Sequence, residues 1–203
     1  MSGKWMKYSL LTGLTLCVGC FSKTQQVDRS NDTEVTVSFD YRDLEGASAE
    51  MAKGLLSSPR IKATPEAPVM VAVGRLVNDT CQHVDLDSIW AQLSEALLSD
   101  DRFEVSAVFA GSAANRDAMV ADARQVRGND EFDASTVQQA GQLRAPDISI
   151  SGKLSQRNVR RDDGGTRIEY FLTMKATRLS DGVAIWQKSN QVIKAVAPGM
   201  PVW

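Results

Sequence analysis

Two stretches with a period of two in the last third of the chain restrict the fold most. Ile148, Ile150, Gly152 and Leu154 alternate with polar residues, and Ile168, Tyr170, Leu172, Met174 and Ala176 recur at the same spacing farther on. A period of two puts each set on one side of a strand. Between them, Asp163-Gly164-Gly165 is a hairpin signal, because primed turns favour glycine. Ser180-Asp181-Gly182 then turns the chain into Val183-Ala184-Ile185-Trp186-Gln187-Lys188. The pattern predicts a meander of three long strands, which needs a second layer to cover its apolar side.

The middle of the chain supplies that layer. Leu44, Ala47, Met51, Leu55 and Leu56 share a helical face within residues 43–56, and Ser57-Ser58-Pro59 ends the run. Val69-Met70-Val71-Ala72-Val73-Gly74 is apolar on both sides and predicts a central strand. Residues 75–84 contain turn formers and lead to Asp85, a good N-cap. Leu86, Ile89, Trp90, Leu93 and Leu97 follow at helical spacing, and residues 103–109 make another strand. Two further helices are expected, one over residues 112–127 and one from Asp133 or Ser135 through Leu143, stopped by Ala145-Pro146. The fold class is therefore α/β (α+β): a small, mostly antiparallel sheet with flanking helices, in which the early βα unit allows one parallel pairing. The globular domain is expected over residues 40–193, with 194–203 a flexible C-terminal tail.

Hydrophobic residues make up 43% of the chain and charged residues 24%. That is enough for a core without metal or disulfide staples. One histidine and three cysteines leave little material for a metal centre or cofactor, and none is expected. The formal charge of -2 gives no basic footprint for nucleic acid, so no nucleic-acid partner is expected.

The N-terminus reads as an export signal. Lys4 and Lys7 precede the apolar run of residues 10–19. A helix that spans a bilayer needs about 20 apolar residues, so this run is too short and has the length of a secretory signal instead. Gly19-Cys20 resembles a lipobox, with Cys20 the acylated residue; Cys17, preceded by bulky Leu16, is the poorer alternative, and an uncleaved anchor is the other. Residues 1–19 are then a lipoprotein signal peptide, and residues 20–39 an acylated N-terminus and disordered tether. No aspartate stands immediately after Cys20, which by resemblance to known lipoproteins favours the outer membrane, on its periplasmic face. Residues 21–39 would reach ~65 Å fully extended.

Candidates for chemistry are few. Cys81 and His83 are the pair that could suggest a thiol nucleophile and base, although no third group or oxyanion hole is identifiable. A packed turn is the plainer reading. Arg157, Arg160 and Arg161, beside Asp162 and Asp163, cluster toward a hairpin tip and form a candidate docking rim. Trp186 is either core or a partly exposed anchor for a partner, while Trp90 belongs to a buried helical stripe.

Read together, several segments resemble the LpoB type of outer-membrane lipoprotein. They are Ala49, Met51, Leu55-Leu56 and Ser57-Ser58-Pro59-Arg60-Ile61; Asn78-Asp79-Thr80 with His83-Val84-Asp85; Gly141, Ala145, Asp147 and Gly152; and Leu179-Ser180-Asp181-Gly182 with Ile185-Trp186. The likeness spans roughly residues 40–190. It implies a small α/β domain like that of the curli secretion lipoprotein. The implied function is non-enzymatic: binding and activating a bifunctional penicillin-binding protein that synthesises peptidoglycan. A monomer is expected. A secretion lipoprotein related to the curli exporter, and a periplasmic hydrolase using Cys81, are the competing readings. Well-known members have a long proline-rich tether, whereas this one is short and proline-free, so the partner would have to extend most of the way.

Overall fold

The computed structural model describes residues 35–112, 116–200 and 202. The signal segment, Cys20 and most of the expected tether lie outside the described residues. From Thr36 on, the described residues form one compact unit.

Helix α1 (Tyr41–Leu56) starts where a reciprocal capping box allows it. The Asp40 side chain accepts the N–H groups of Arg42 and Asp43, and Asp43 accepts the Asp40 N–H at 2.9 Å. The helix buries Leu44, Ala47, Met51 and Leu55, the predicted stripe, whereas Leu56 is only partly covered. Strand β1 (Val69–Asp79) buries Val71, Ala72 and Val73 in succession, as a strand covered on both sides must. Asp85 caps α2 (Leu86–Leu98), which buries Ile89, Trp90, Leu93 and Leu97. After β2 (Phe103–Ala110) and the short α3 (Met119–Gln125), the strands β3 (Ile148–Arg160), β4 (Thr166–Arg178) and β5 (Ala184–Val196) complete the domain.

The five strands lie in the order β2-β1-β3-β4-β5. The predicted meander is present as two long antiparallel ladders, β3 with β4 and β4 with β5. At its two turns, Gly164 takes a φ of +82° and Gly182 a φ of +72°. L side chains rarely adopt such angles, so glycine is the residue these turns require. Strand β1 runs parallel to both β2 and β3, so there are two parallel pairings where one was expected. The cause is the connection at residues 111–147, which passes β1 and returns the chain in the same direction on its other side.

Helices α1 and α2 pack on each other, α1 against β5 and α2 against β1 and β2, so together they cover one face of the sheet. That face holds Ile150, Leu154, Ile168, Tyr170, Leu172 and Met174, each at most 1% exposed. Burying side chains of this size contributes about 1.5–3 kcal/mol each. Among the described residues no helix covers the middle of the opposite face, where Lys153, Arg167, Lys175 and Gln187 are exposed.

Five expectations are corrected. Among the described residues, which leave out 113–115, the helix expected over residues 112–127 is present only as α3, whose N-cap, Ala118, offers no side-chain hydrogen bond and which buries nothing. The helix expected through Leu143 does not form; turns and extended chain replace it, since no packed layer receives an apolar stripe there. Residues 75–79, read as turn formers, continue β1: a register shift between Val73 and Leu76 lets Leu76, Val77, Asn78 and Asp79 pair with β3. Finally, β5 runs to Val196, and Lys194 and Val196 are buried, so the tail cannot begin at 194. The opposite boundary also shifts slightly, because Phe39 is buried against Tyr170 with ring centroids 5.4 Å apart.

Candidate functional site

The chain enters the domain through a polar clamp. Gln82 accepts the Phe39 N–H at 3.0 Å through Oε1 and donates from Nε2 to the Tyr170 hydroxyl at 2.8 Å. The Tyr170 hydroxyl donates in turn to Val37 O at 3.3 Å. Burial pushes the Tyr170 pKa up, so the hydroxyl stays a neutral donor. Across the first turn of α1, Lys194 reaches Ser38 O at 2.6 Å, Asp43 at 2.5 Å and Asp40 at 3.4 Å. Burial alone would raise the pKa of Asp40. The hydroxyl of Thr36, the N–H groups of Asp43 and Arg42, and the Lys194 charge outweigh it and lower that pKa from 3.8 to about 2. The sequence reading does not anticipate this clamp, although a signal for it is there: Trp186, Lys188, Asn190, Val192 and Lys194 alternate in one phase, which points Lys194 inward.

Near the clamp, but on the uncovered face, lies part of the arginine rim. Glu169 is only 2% exposed and is held from both sides: Arg157 donates at 2.8 and 2.5 Å to Oε2, and Arg167 approaches Oε1 at 2.8 Å. Arg161 pairs with Asp163 at 2.8 Å in the β3–β4 turn, and Arg160, at the end of β3, is exposed. Arg157 pairs with the buried Glu169 yet keeps its own side chain 64% exposed, so Arg157, Arg160 and Arg161 all face outward. Trp186 is elsewhere. It pairs with Ala176 of β4, whereas Arg157 pairs with Glu169 of the same strand. At a rise of ~3.3 Å per residue, the two positions are about 23 Å apart. Trp186 is half-buried beside α1, where Gly54 leaves room: a Cβ there would lie 3.4 Å from the indole and 2.8 Å from Lys188 Cδ. The structure does not bring the arginines and Trp186 into one surface.

Cys81 and His83 are both exposed. The Cys81 N–H donates to Gln156 at 3.4 Å, and Asn78, Thr80 and Gln82 form a hydrogen-bonded turn around it, with Asn78 Nδ2 donating to Gln82 O at 2.7 Å. Asn78 and Thr80 bond local backbone as the turn reading expects, but Cys81 does not pack within the turn as a small hydrophobe: it is exposed. Among the described residues, no group of three or more His, Cys, Asp or Glu side chains is placed to hold a metal ion, and no helix is long and apolar enough to cross a membrane.

Comparison with known proteins gives one family. The family model described as peptidoglycan-synthase activator LpoB matches residues 43–192. No curated protein sequence matches the chain. Among solved structures, the LpoB C-terminal domain from Salmonella enterica is 16% identical, with a TM-score of 0.45, over 74% of this chain and 98% of that one. The LpoB C-terminal domain from Escherichia coli is 18% identical, with the same TM-score and the same coverage of both chains. Lipoprotein GNA1162 from Neisseria meningitidis is 14% identical, with a TM-score of 0.33, over 63% of this chain and 84% of that one.

Proposed function

The chain belongs to the LpoB family of peptidoglycan-synthase activators, and we propose that it acts as a lipid-anchored, non-enzymatic regulator that binds a bifunctional penicillin-binding protein. The observation that carries this reading is the extent of the match. It begins in the first turn of α1 and ends within β5, so it takes in nearly the whole folded domain. The activity named by the family is therefore assigned to that domain, with the N-terminal segment serving as signal, anchor at Cys20 and tether on the periplasmic face of the outer membrane.

A binding module changes an enzyme's rate only through differential affinity. The domain must hold the active conformation of the synthase more tightly than the inactive one, and each tenfold shift in that equilibrium needs about 1.4 kcal/mol of difference. A sheet backed by two packed helices suits the task, because a rigid surface loses little entropy on binding. Arg160, Arg161 and Trp186 are surface groups that a partner could engage, the first two beside the chain entry and the last at the far end of the strands. Arg157 contributes by keeping Glu169 neutralised within the sheet.

The test is a pull-down with the full acylated chain in mild detergent against membrane extract of its source organism, read by mass spectrometry. Recovery of a bifunctional penicillin-binding protein supports the reading. A secretion component in its place, with no synthase, contradicts it.

A further inference from the structure

At the end of the sheet farthest from the chain entry lies an open cleft of about 470 Å³. Its floor is apolar, made chiefly by Ile61, Ile148 and Ile185, and its rim is cationic, made by Arg60, Lys62, Arg144 and Arg178. This size and this mixture of apolar floor with few charged groups are typical of preformed binding sites. The cleft draws on the α1–β1 loop, the starts of β1, β3 and β5, and the end of β4.

The four cations differ in how they are balanced. Arg144 is paired with Glu104 and, at 3.4 Å, with Asp147, and it also donates to Pro68 O at 2.5 Å. Asp147 itself accepts the Met70 N–H at 2.8 Å, so this corner is rigid. Arg178 pairs with Asp181 at 3.1 Å. No ion pair or hydrogen bond joins the side chain of Arg60 or Lys62 to another described residue. Two positive charges are thus left over at the mouth of an apolar cleft, flanking Ile61 on both sides. Water solvates them cheaply, and a carboxylate ligand could claim both without breaking any internal pair.

Position narrows the occupant. Lys194 and Asp40 clamp the entering chain beside Asn158 and Ile168, whereas the cleft sits at Ile148, at the other end of β3. At a rise of ~3.3 Å per residue, Asn158 and Ile148 are about 33 Å apart. The cleft therefore stands clear of the described entering residues, 36–40, and is open to a partner. We infer that the cleft docks an acidic segment of the synthase, its carboxylates on Arg60 and Lys62 and an adjacent apolar side chain on Ile61, Ile148 and Ile185. The inference rests on the function proposed above and adds the surface and the partner chemistry.

The experiment compares the full acylated chain with the double variant Arg60→Glu, Lys62→Glu and with Lys175→Glu, an exposed position on the uncovered face of β4. Each is titrated against the purified bifunctional synthase of the same organism at low and high salt. The double variant should bind about tenfold more weakly at low salt, with a shallower salt dependence, while Lys175→Glu binds like the wild type. Both side chains altered in the double variant are exposed and unpaired, so its thermal unfolding midpoint should not move. Wild-type affinity in the double variant overturns the inference and leaves the proposed function intact. Failure of the wild type to bind any bifunctional synthase overturns both.

Discussion

The meander formed by β3, β4 and β5 and the connection at residues 111–147 are neighbours in sequence and opposites in packing. The meander buries Ile148, Ile150, Leu154, Ile168, Tyr170, Leu172, Met174, Ala176, Ile185 and Val196. The connection buries none of its described residues and leaves Met119, Phe132 and Leu143 between 46% and 65% exposed. Both contain apolar residues with some periodicity. What separates them is a surface to pack on: α1 against β5 and α2 against β1 and β2 cover the apolar side of the sheet, while nothing comparable receives α3. A helical pattern without a partner layer yields little helix, because tertiary packing supplies most helical stability.

If that contrast governs stability, damage to the meander should matter far more than damage to the connection. The largest effect is expected from Leu172→Ala, which empties a fully buried site between the helices and the sheet. It should lower unfolding free energy by about 2–5 kcal/mol in a denaturant titration. A loss below ~1 kcal/mol would mean the core relaxes around the cavity and the contrast is weaker than drawn.

Acid tests the meander's last strand, where Lys194 meets Asp40. The Asp40 pKa is lowered on folding from 3.8 to about 2. The carboxylate's contribution is therefore fully present above the unfolded pKa and is lost as pH falls from about 4 toward 2. The loss should amount to about 2 kcal/mol across that window. Asp40→Asn should flatten that part of the pH profile, because asparagine still caps the helix but does not titrate. A smaller loss, ~1 kcal/mol, is expected from Gly182→Ala, because a positive φ disfavours a Cβ. The φ of Gly182 in the β4–β5 turn is +72°. At the bottom of the scale, Phe132→Ala in the connection should change stability by less than ~0.5 kcal/mol. A large effect there would show that the connection is packed after all.

The same contrast explains what could be read from sequence. Helices α1 and α2 were legible because their apolar residues recur at helical spacing, with Asp85 marking the start of α2. The meander was legible because its period of two is continuous and its turns carry glycine. The end of β1 was not, since Asn78 and Asp79 look like turn formers, and pairing with β3 across a register shift overrides that local preference. The shortened helix and the lost one failed for the opposite reason, a local pattern with no tertiary support. At the surface, the sequence suggested the arginines and Trp186 separately but could not tell that about 23 Å of sheet divides them. The cleft was invisible for a related reason. Its walls come from residues near 60, 68, 144, 148, 178 and 185, which only the strand order brings together.

The central claim is that this domain raises the rate of a synthase without chemistry of its own. The most direct measurement is glycan-chain polymerisation by the purified bifunctional penicillin-binding protein of the same organism, with and without saturating full-length acylated protein. The account predicts a saturable rise in rate that persists when Cys81 is replaced by alanine. An unchanged rate despite demonstrated binding, or a rise that vanishes with Cys81→Ala, would contradict it.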